Sequence, residues 1–158
     1  MPERFSWIIE GKIAGMERPG LFNDLTEDLE FLRDSGIDVI VSLQEEEHFQ
    51  DHGGFIVKNI PIDDFGAPEL EVFGEFITYV TSHIDGGKGV LVHCYAGMGR
   101  TNLMLAGYLL HHLGMDPASA LETVRSRRPV HVVNYRQQEA LWDYFYTVRD
   151  VLPLIDNG

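Results

Sequence analysis

Gly89-Val90-Leu91-Val92-His93-Cys94-Tyr95-Ala96-Gly97-Met98-Gly99-Arg100-Thr101 joins a strand pattern to a glycine loop and the loop to a helix. Residues 89–93 (GVLVH) form a short apolar run of the kind buried on both faces of a parallel sheet. The run delivers Cys94 to the floor of the loop. Gly97 and Gly99 let the loop curl tightly, because glycine tolerates positive φ. A curled loop can turn several backbone N–H groups inward, making a nest for an anion. The helix expected from about Arg100 aims its first N–H groups and its dipole at the same spot. Such donors hold three phosphate oxygens and also stabilise a thiolate, the attacking form of a cysteine. Arg100 adds a planar fork for two phosphoryl oxygens and for charge that develops on them. Thr101 supplies a hydroxyl that can donate to the Cys94 sulfur when the sulfur must leave.

The flanking sequence fits the same architecture. Trp7–Gly15 reads as two short strands around Gly11, and Leu25–Ser35 as a helix stopped by Gly36. Asp38–Leu43 and Phe55–Ile60 are β-rich runs. Pro68 is expected to open a helix to about Asp85, with Leu70, Phe73, Ile77, Val80 and Ile84 at helical spacing. Further helices are expected over Arg100–Leu113, from Asp116-Pro117 to Arg127, and over Tyr135–Val151. Strands alternate with helices, which predicts a single-domain α/β sandwich over residues 1–158, its largely parallel central sheet flanked by helices on both faces. Ligands in such folds sit at the carboxyl ends of strands, which is where GVLVH meets the loop.

Composition narrows the function classes. A chain of 158 residues that is 44% hydrophobic can build one substantial core. No apolar run approaches the roughly 20 residues needed to span a bilayer. The opening MPERFSWIIEGKIAG has no long apolar stretch after a basic one, so no signal peptide is expected. The net charge of −13 disfavours nucleic acid and anionic membranes as partners. A phosphate site must then be a local positive spot on a negative protein. The one cysteine rules out a disulfide within the chain and fits a cytoplasmic place.

The loop HCYAGMGRT resembles the signature of the protein tyrosine phosphatase superfamily. With FSWIIEGKIAGM (5–16) and IPIDDF (60–65), the chain is similar to the small, atypical dual-specificity phosphatases and the compact bacterial and archaeal tyrosine phosphatases. The resemblance implies the cysteine-phosphatase fold and two-step transfer through a phosphocysteine, with no metal and no cofactor. It implies Cys94 as nucleophile, Arg100 as the phosphate-binding arginine and residues 95–99 (Tyr95, Ala96, Gly97, Met98, Gly99) as the phosphate cradle. By the same match His93 bonds around the loop, Thr101 assists thiolate departure and Asp64 is the general acid. Gln137 lies where related enzymes place a glutamine near the hydrolytic water, with Gln138 adjacent. Two departures stand out. Asn102 occupies a position where small relatives usually carry Gly, and Asp63 replaces the proline of their Ile-Pro-Asp-Phe. Neighbours on an extended segment point to opposite sides, so one of the two aspartates is expected to face Cys94.

The implied substrate is a phosphorylated protein, with tyrosine and dual specificity, or a small phosphate ester such as an inositol phosphate. The uncharged loop interior argues against the latter. A catalytically weak phosphate-binding module would be marked by loss of the cysteine, the arginine or the acid, and all three are present. A reductase using a similar loop would need further cysteines, and a sulfurtransferase would need neither Asp64 nor Thr101. Cys94 as a mere buried hydrophobe leaves the glycines and the arginine unexplained. The other histidines (His48, His52, His83, His111, His112, His131) show no metal-ligand spacing. Arg125, Arg127 and Arg128 read as a helix C-terminus complementing its dipole, or as a rim that attracts anions. Glu45–Glu47 reads as a solvated charge run.

Overall fold

The structure, a computed structural model, describes residues 2–46, 53–129 and 132–152; Glu47, His48, His52 and His131 lie outside them. In chain order the elements are β1 (Ser6–Ile9), β2 (Ile13–Met16), α1 (Leu25–Ser35), β3 (Ile37–Ser42), β4 (Ile56–Asn59), α2 (Leu70–Asp85), β5 (Gly89–His93), α3 (Arg100–Leu113), α4 (Pro117–Arg127) and α5 (Tyr135–Val148). One sheet runs β1-β2-β5-β3-β4. β1 is antiparallel to β2, and the other pairs are parallel. The expected α/β sandwich is therefore present, with one antiparallel edge strand.

All five residues of β5 are buried. Because strand side chains alternate between faces, Val90 and Val92 enter the larger core, built with residues of α2, α3, α4 and α5. Leu91 enters the smaller core, with Leu32 of α1. Helices thus cover both faces, four on one and one on the other. Each fully buried Val or Leu contributes about 1.5–3 kcal/mol, so β5 is held firmly from both sides. α3 is buried continuously from Arg100 to Leu110. A helix apolar all round is one that must be enclosed all round, and this enclosure fixes the axis that carries Arg100.

Two helix boundaries differ from expectation. α2 starts at Leu70 rather than at Pro68, because Glu69 is extended (φ −69°, ψ 161°) and its carbonyl accepts the first helical bonds. The last α-helix ends at Val148, and Arg149–Val151 tightens into a 3-10 turn. Among the described residues no helix is long and apolar enough to cross a membrane.

The topology positions a site. β5, β3 and β4 are adjacent and parallel, so their carboxyl ends open on one edge. The Cys94 loop follows β5, Gln44 and Glu45 follow β3, and the Asp63–Phe65 segment follows β4.

Candidate active site

The loop from Cys94 to Gly99 turns each of its six carbonyls away from its centre, onto a donor. Cys94 O meets His93 Nδ1 at 3.0 Å. Tyr95 O accepts from Arg18 N at 2.9 Å, and Ala96 O from Arg4 Nη1 at 2.9 Å. Gly97 O accepts from Arg128 Nη2, Met98 O from Val132 N at 3.2 Å, and Gly99 O from Leu103 N at 2.9 Å. A backbone whose carbonyls point out presents its N–H groups inward, which is the nest the glycines were expected to permit. Gly97 has φ +76°, and a Cβ there would meet Met16 O at 2.5 Å, so both conformation and space require glycine. A Cβ on Gly99 would meet Val132 O at 2.9 Å.

The Cys94 side chain is 3% exposed, at the floor of this loop. Its sulfur accepts from Thr101 Oγ1 at 3.0 Å and from Gly97 N–H at 3.3 Å. Arg100 is also buried. Its Nη1 donates to Glu45 Oε1 at 3.1 Å and to Ile62 O at 3.0 Å, and its Nη2 lies 3.4 Å from Asp64 Oδ1. Its Nε is buried with no hydrogen-bond partner among the described residues. A buried donor left unmatched costs about 1–3 kcal/mol, which an arriving oxyanion would recover.

Asp64, Phe65, Cys94, Tyr95, Ala96, Met98, Gly99, Arg100, Val132 and Gln137 enclose a cavity of about 200 Å³. Asp64 lines it, whereas Asp63 faces another depression with Pro68 and Arg136. Gln137 lines it too, while Gln138 bonds Val133 O at 2.9 Å. The segment carrying Asp64 is tied at three successive residues. Asp64 N–H donates to Glu45 Oε1 at 3.0 Å, Phe65 O accepts from Asn134 Nδ2 at 2.9 Å, and Gly66 O accepts from Gln137 Nε2 at 3.1 Å. Phe65 is held at φ +59°, a left-handed conformation unfavourable for a bulky residue.

The family model for "Polymorphic toxin system, DSP-PTPase phosphatase" matches residues 14–114, well over half the chain. The chain belongs to this family. Dual specificity protein phosphatase 1B of Arabidopsis thaliana is 40% identical over 75 residues, 47% of this chain and 45% of that protein. Tyrosine-protein phosphatase CDC14 of Candida albicans is 29% identical over 135 residues, 82% of this chain and 24% of that protein. The chain spans less than half the length of these curated relatives. The crystal structure of Tk-PTP in its active form matches with a TM-score of 0.81 at 26% identity, covering 96% of this chain and 100% of that one. PTPMT1 in complex with PI(5)P matches with a TM-score of 0.84 at 19% identity, covering 94% and 98%, which is a likeness of fold.

Within this DSP-PTPase site the structure corrects two sequence readings. Glu45 is not simply part of a solvated run, since one of its oxygens joins Arg100 to the Asp64 backbone. Arg128 is not a rim residue. It is 1% exposed and lies behind the Cys94–Gly99 loop, bonded to Gly97 O, Gly15 O, Arg4 O and Asn102 Oδ1. Arg127 is exposed, and its Nη1 donates to Ile8 O. Asn134 was not singled out at all. Its capping box with Gln137 was legible as Asn-x-x-Gln, but its second bond, to the Asp64 segment, depends on a residue 69 positions away.

Proposed function

We propose that this chain hydrolyses phosphate monoesters through a phosphocysteine, within one catalytic domain in the cytoplasm. Cys94 Sγ attacks phosphorus, so that an S–P bond forms as the P–O bond to the leaving group breaks. Asp64 gives its proton to the departing oxygen. Water then attacks the phosphocysteine and returns a proton to Asp64, with Gln137 on the cavity wall positioned to orient it. Inorganic phosphate leaves and the Cys94 electron pair is regained as thiolate, held by Thr101. Arg100 and the loop N–H groups carry the phosphoryl charge throughout, so no metal is called on. The observation that carries this reading is the doubly hydrogen-bonded Cys94 sulfur sharing one cavity with Asp64 and with Arg100, which has an unmatched buried Nε.

The walls favour an aryl phosphate, such as phosphotyrosine in a protein. Phe65, Tyr95, Ala96, Met98 and Val132 are apolar surfaces beside the nest. An adjoining depression is lined by Gln44, Glu45, Glu46, Asp64, Tyr95 and Arg100, three of them carboxylates. That rim repels additional phosphates on a substrate. A small phosphate ester is the second reading, favoured by the structural likeness to PTPMT1 with its PI(5)P. The deciding experiment measures phosphate release from phosphotyrosine and phosphoserine peptides and from inositol phosphates. Cys94→Ser should abolish release, and phosphotyrosine should exceed the inositol phosphates by about tenfold or more in kcat/KM. A Cys94→Ser protein retaining more than about a tenth of the activity would overturn the mechanism. Preference for inositol phosphates would overturn the aryl assignment alone.

A further inference from the structure

Arg128 is a buried cation that the reaction described above does not use. Its partners within hydrogen-bond reach are carbonyl oxygens and one amide. Nε donates to Asn102 Oδ1 at 2.8 Å and Nη1 to Arg4 O at 2.8 Å and to Gly15 O, while Nη2 reaches Gly97 O in the phosphate loop. The site is built to receive it. Gly15 leaves the space, since a Cβ there would lie 3.0 Å from Arg128 Nη1. Asn102, itself fully buried, supplies the acceptor that fixes the guanidinium plane.

We propose that Arg128, oriented by Asn102, is a positioning residue that pins the Gly97 carbonyl out of the phosphate nest and sets a fixed positive charge behind Cys94. The inference rests on the phosphatase reading of the site. Two physical effects follow. The Gly97 carbonyl shares its peptide plane with Met98 N–H and points the opposite way, so Arg128, by holding that carbonyl out, turns Met98 N–H into the nest beside the Gly97 N–H that meets the Cys94 sulfur. A buried guanidinium also attracts both a thiolate and a bound phosphoryl group through a medium that screens poorly. The electrostatics run in both directions. Burial lowers the Arg128 pKa to about 10, the negative charges of Cys94 and Glu17 pull it back up, and Arg4 pushes it down. Arg128 therefore stays protonated through the neutral range. The other charged or titratable groups around Cys94 and Arg128 include His93 from β5, Tyr95 in the loop with Arg18 over its ring, Arg100 from α3, Asp64 and Glu45 across the cavity, Glu17 after β2 and Arg4 from the N-terminal segment. Glu17 is already engaged by the backbone N–H groups of Glu3 and Arg4 at 3.2 and 3.1 Å.

The test reads the thiolate directly. The rate of Cys94 alkylation by iodoacetamide is measured against pH for wild type, Arg128→Gln, Arg128→Lys and Asn102→Ala. Each protein is checked for folding by circular dichroism, and kcat/KM is measured alongside. Arg128→Gln should move the alkylation midpoint up by about 1 pH unit, because it removes the charge but keeps a donor. Arg128→Lys should restore most of that midpoint yet leave kcat/KM about tenfold down, since an ammonium cannot hold Gly97 O in the same plane. Asn102→Ala keeps the charge and loses only its orientation. It should lower kcat/KM about threefold or more with the midpoint nearly unchanged, and it serves if Arg128→Gln does not fold. An unmoved midpoint in folded Arg128→Gln, or wild-type kcat/KM in Asn102→Ala, overturns the proposal. Alkylation needs no turnover. A wild-type protein that releases no phosphate would therefore sink the phosphatase reading and leave the charge measurement standing.

Discussion

Asn134→Asp separates two jobs that one side chain performs. Asn134 Oδ1 accepts from Gln137 N–H at 2.9 Å and so caps α5, while Nδ2 donates to Phe65 O at 2.9 Å and holds the Asp64 segment closed. Aspartate caps a helix as well as asparagine and suits its dipole, but it has no donor for Phe65 O. The capped helix should therefore survive while the tether is lost. A neutral hydrogen bond near the surface is worth about 0.5–1.5 kcal/mol, a factor of about 2 to 10 in the closed fraction. It works against a Phe65 conformation that itself costs on the order of 1 kcal/mol, beside two comparable backbone bonds from Glu45 and Gln137 and the Arg100 contact to Asp64 Oδ1. In the proposed mechanism, turnover of a substrate with a poor leaving group depends on Asp64 being in place. Phenyl phosphate hydrolysis should fall about 3- to 10-fold, and para-nitrophenyl phosphate much less. Thermal unfolding should be nearly unchanged in Asn134→Asp, whereas Asn134→Ala should lose about 1 kcal/mol through the cap. The reasoning fails if phenyl phosphate turnover matches wild type. It also fails if both substrates slow equally, or if Asn134→Asp is destabilised as much as Asn134→Ala.

Three other perturbations bear on the site and its frame. Asp64→Asn should slow phenyl phosphate turnover by about 10²- to 10⁴-fold and flatten the alkaline limb of its pH profile, with Asp63→Asn doing far less; the reverse ranking would assign the acid to Asp63. Peroxide should convert Cys94 to a sulfenic acid that thiols reverse, and prolonged exposure should oxidise it irreversibly, because the chain has no second cysteine to trap the first product; intact-mass spectra unchanged by peroxide would contradict a reactive thiolate. Burial, followed by the charge of His112, lowers the His111 pKa, so the unfolded chain protonates first on acidification. The stability held there is complete above about pH 6.5 and is lost as the pH falls through the lower folded value. Urea midpoints of His111→Gln should accordingly drop less than wild type between pH 7 and pH 5, and an equal drop would remove His111 as a cause.

Local chemistry carried most of the fold into the sequence. GVLVH could be read as a buried strand because its four apolar or small residues between turn signals have no other economical place. α1, α3 and α4 could be bounded closely because glycine at 36 and 114, and Asp116-Pro117, act on the backbone within one turn. Cys94, Arg100 and Thr101 were legible for a similar reason, since one short loop and one helix start fix their spacing. Asp64 and Gln137 came only through likeness to a family, because nothing within their own segments says that they face Cys94. What tertiary structure alone decided is the set of long-range partners. Arg128 and Asn102 meet across 26 positions, Glu45 and Arg100 across 55, and Asn134 and Phe65 across 69. In sequence Arg128, Glu45 and Asn134 are ordinary polar residues in a helix end or a charged run. A charge beside a proline reads as surface because desolvating it is costly. Arg128 is buried only because the carbonyls of the N-terminal segment, β2 and the Cys94–Gly99 loop converge on one point, and that convergence exists only once the sheet has brought β2 beside β5.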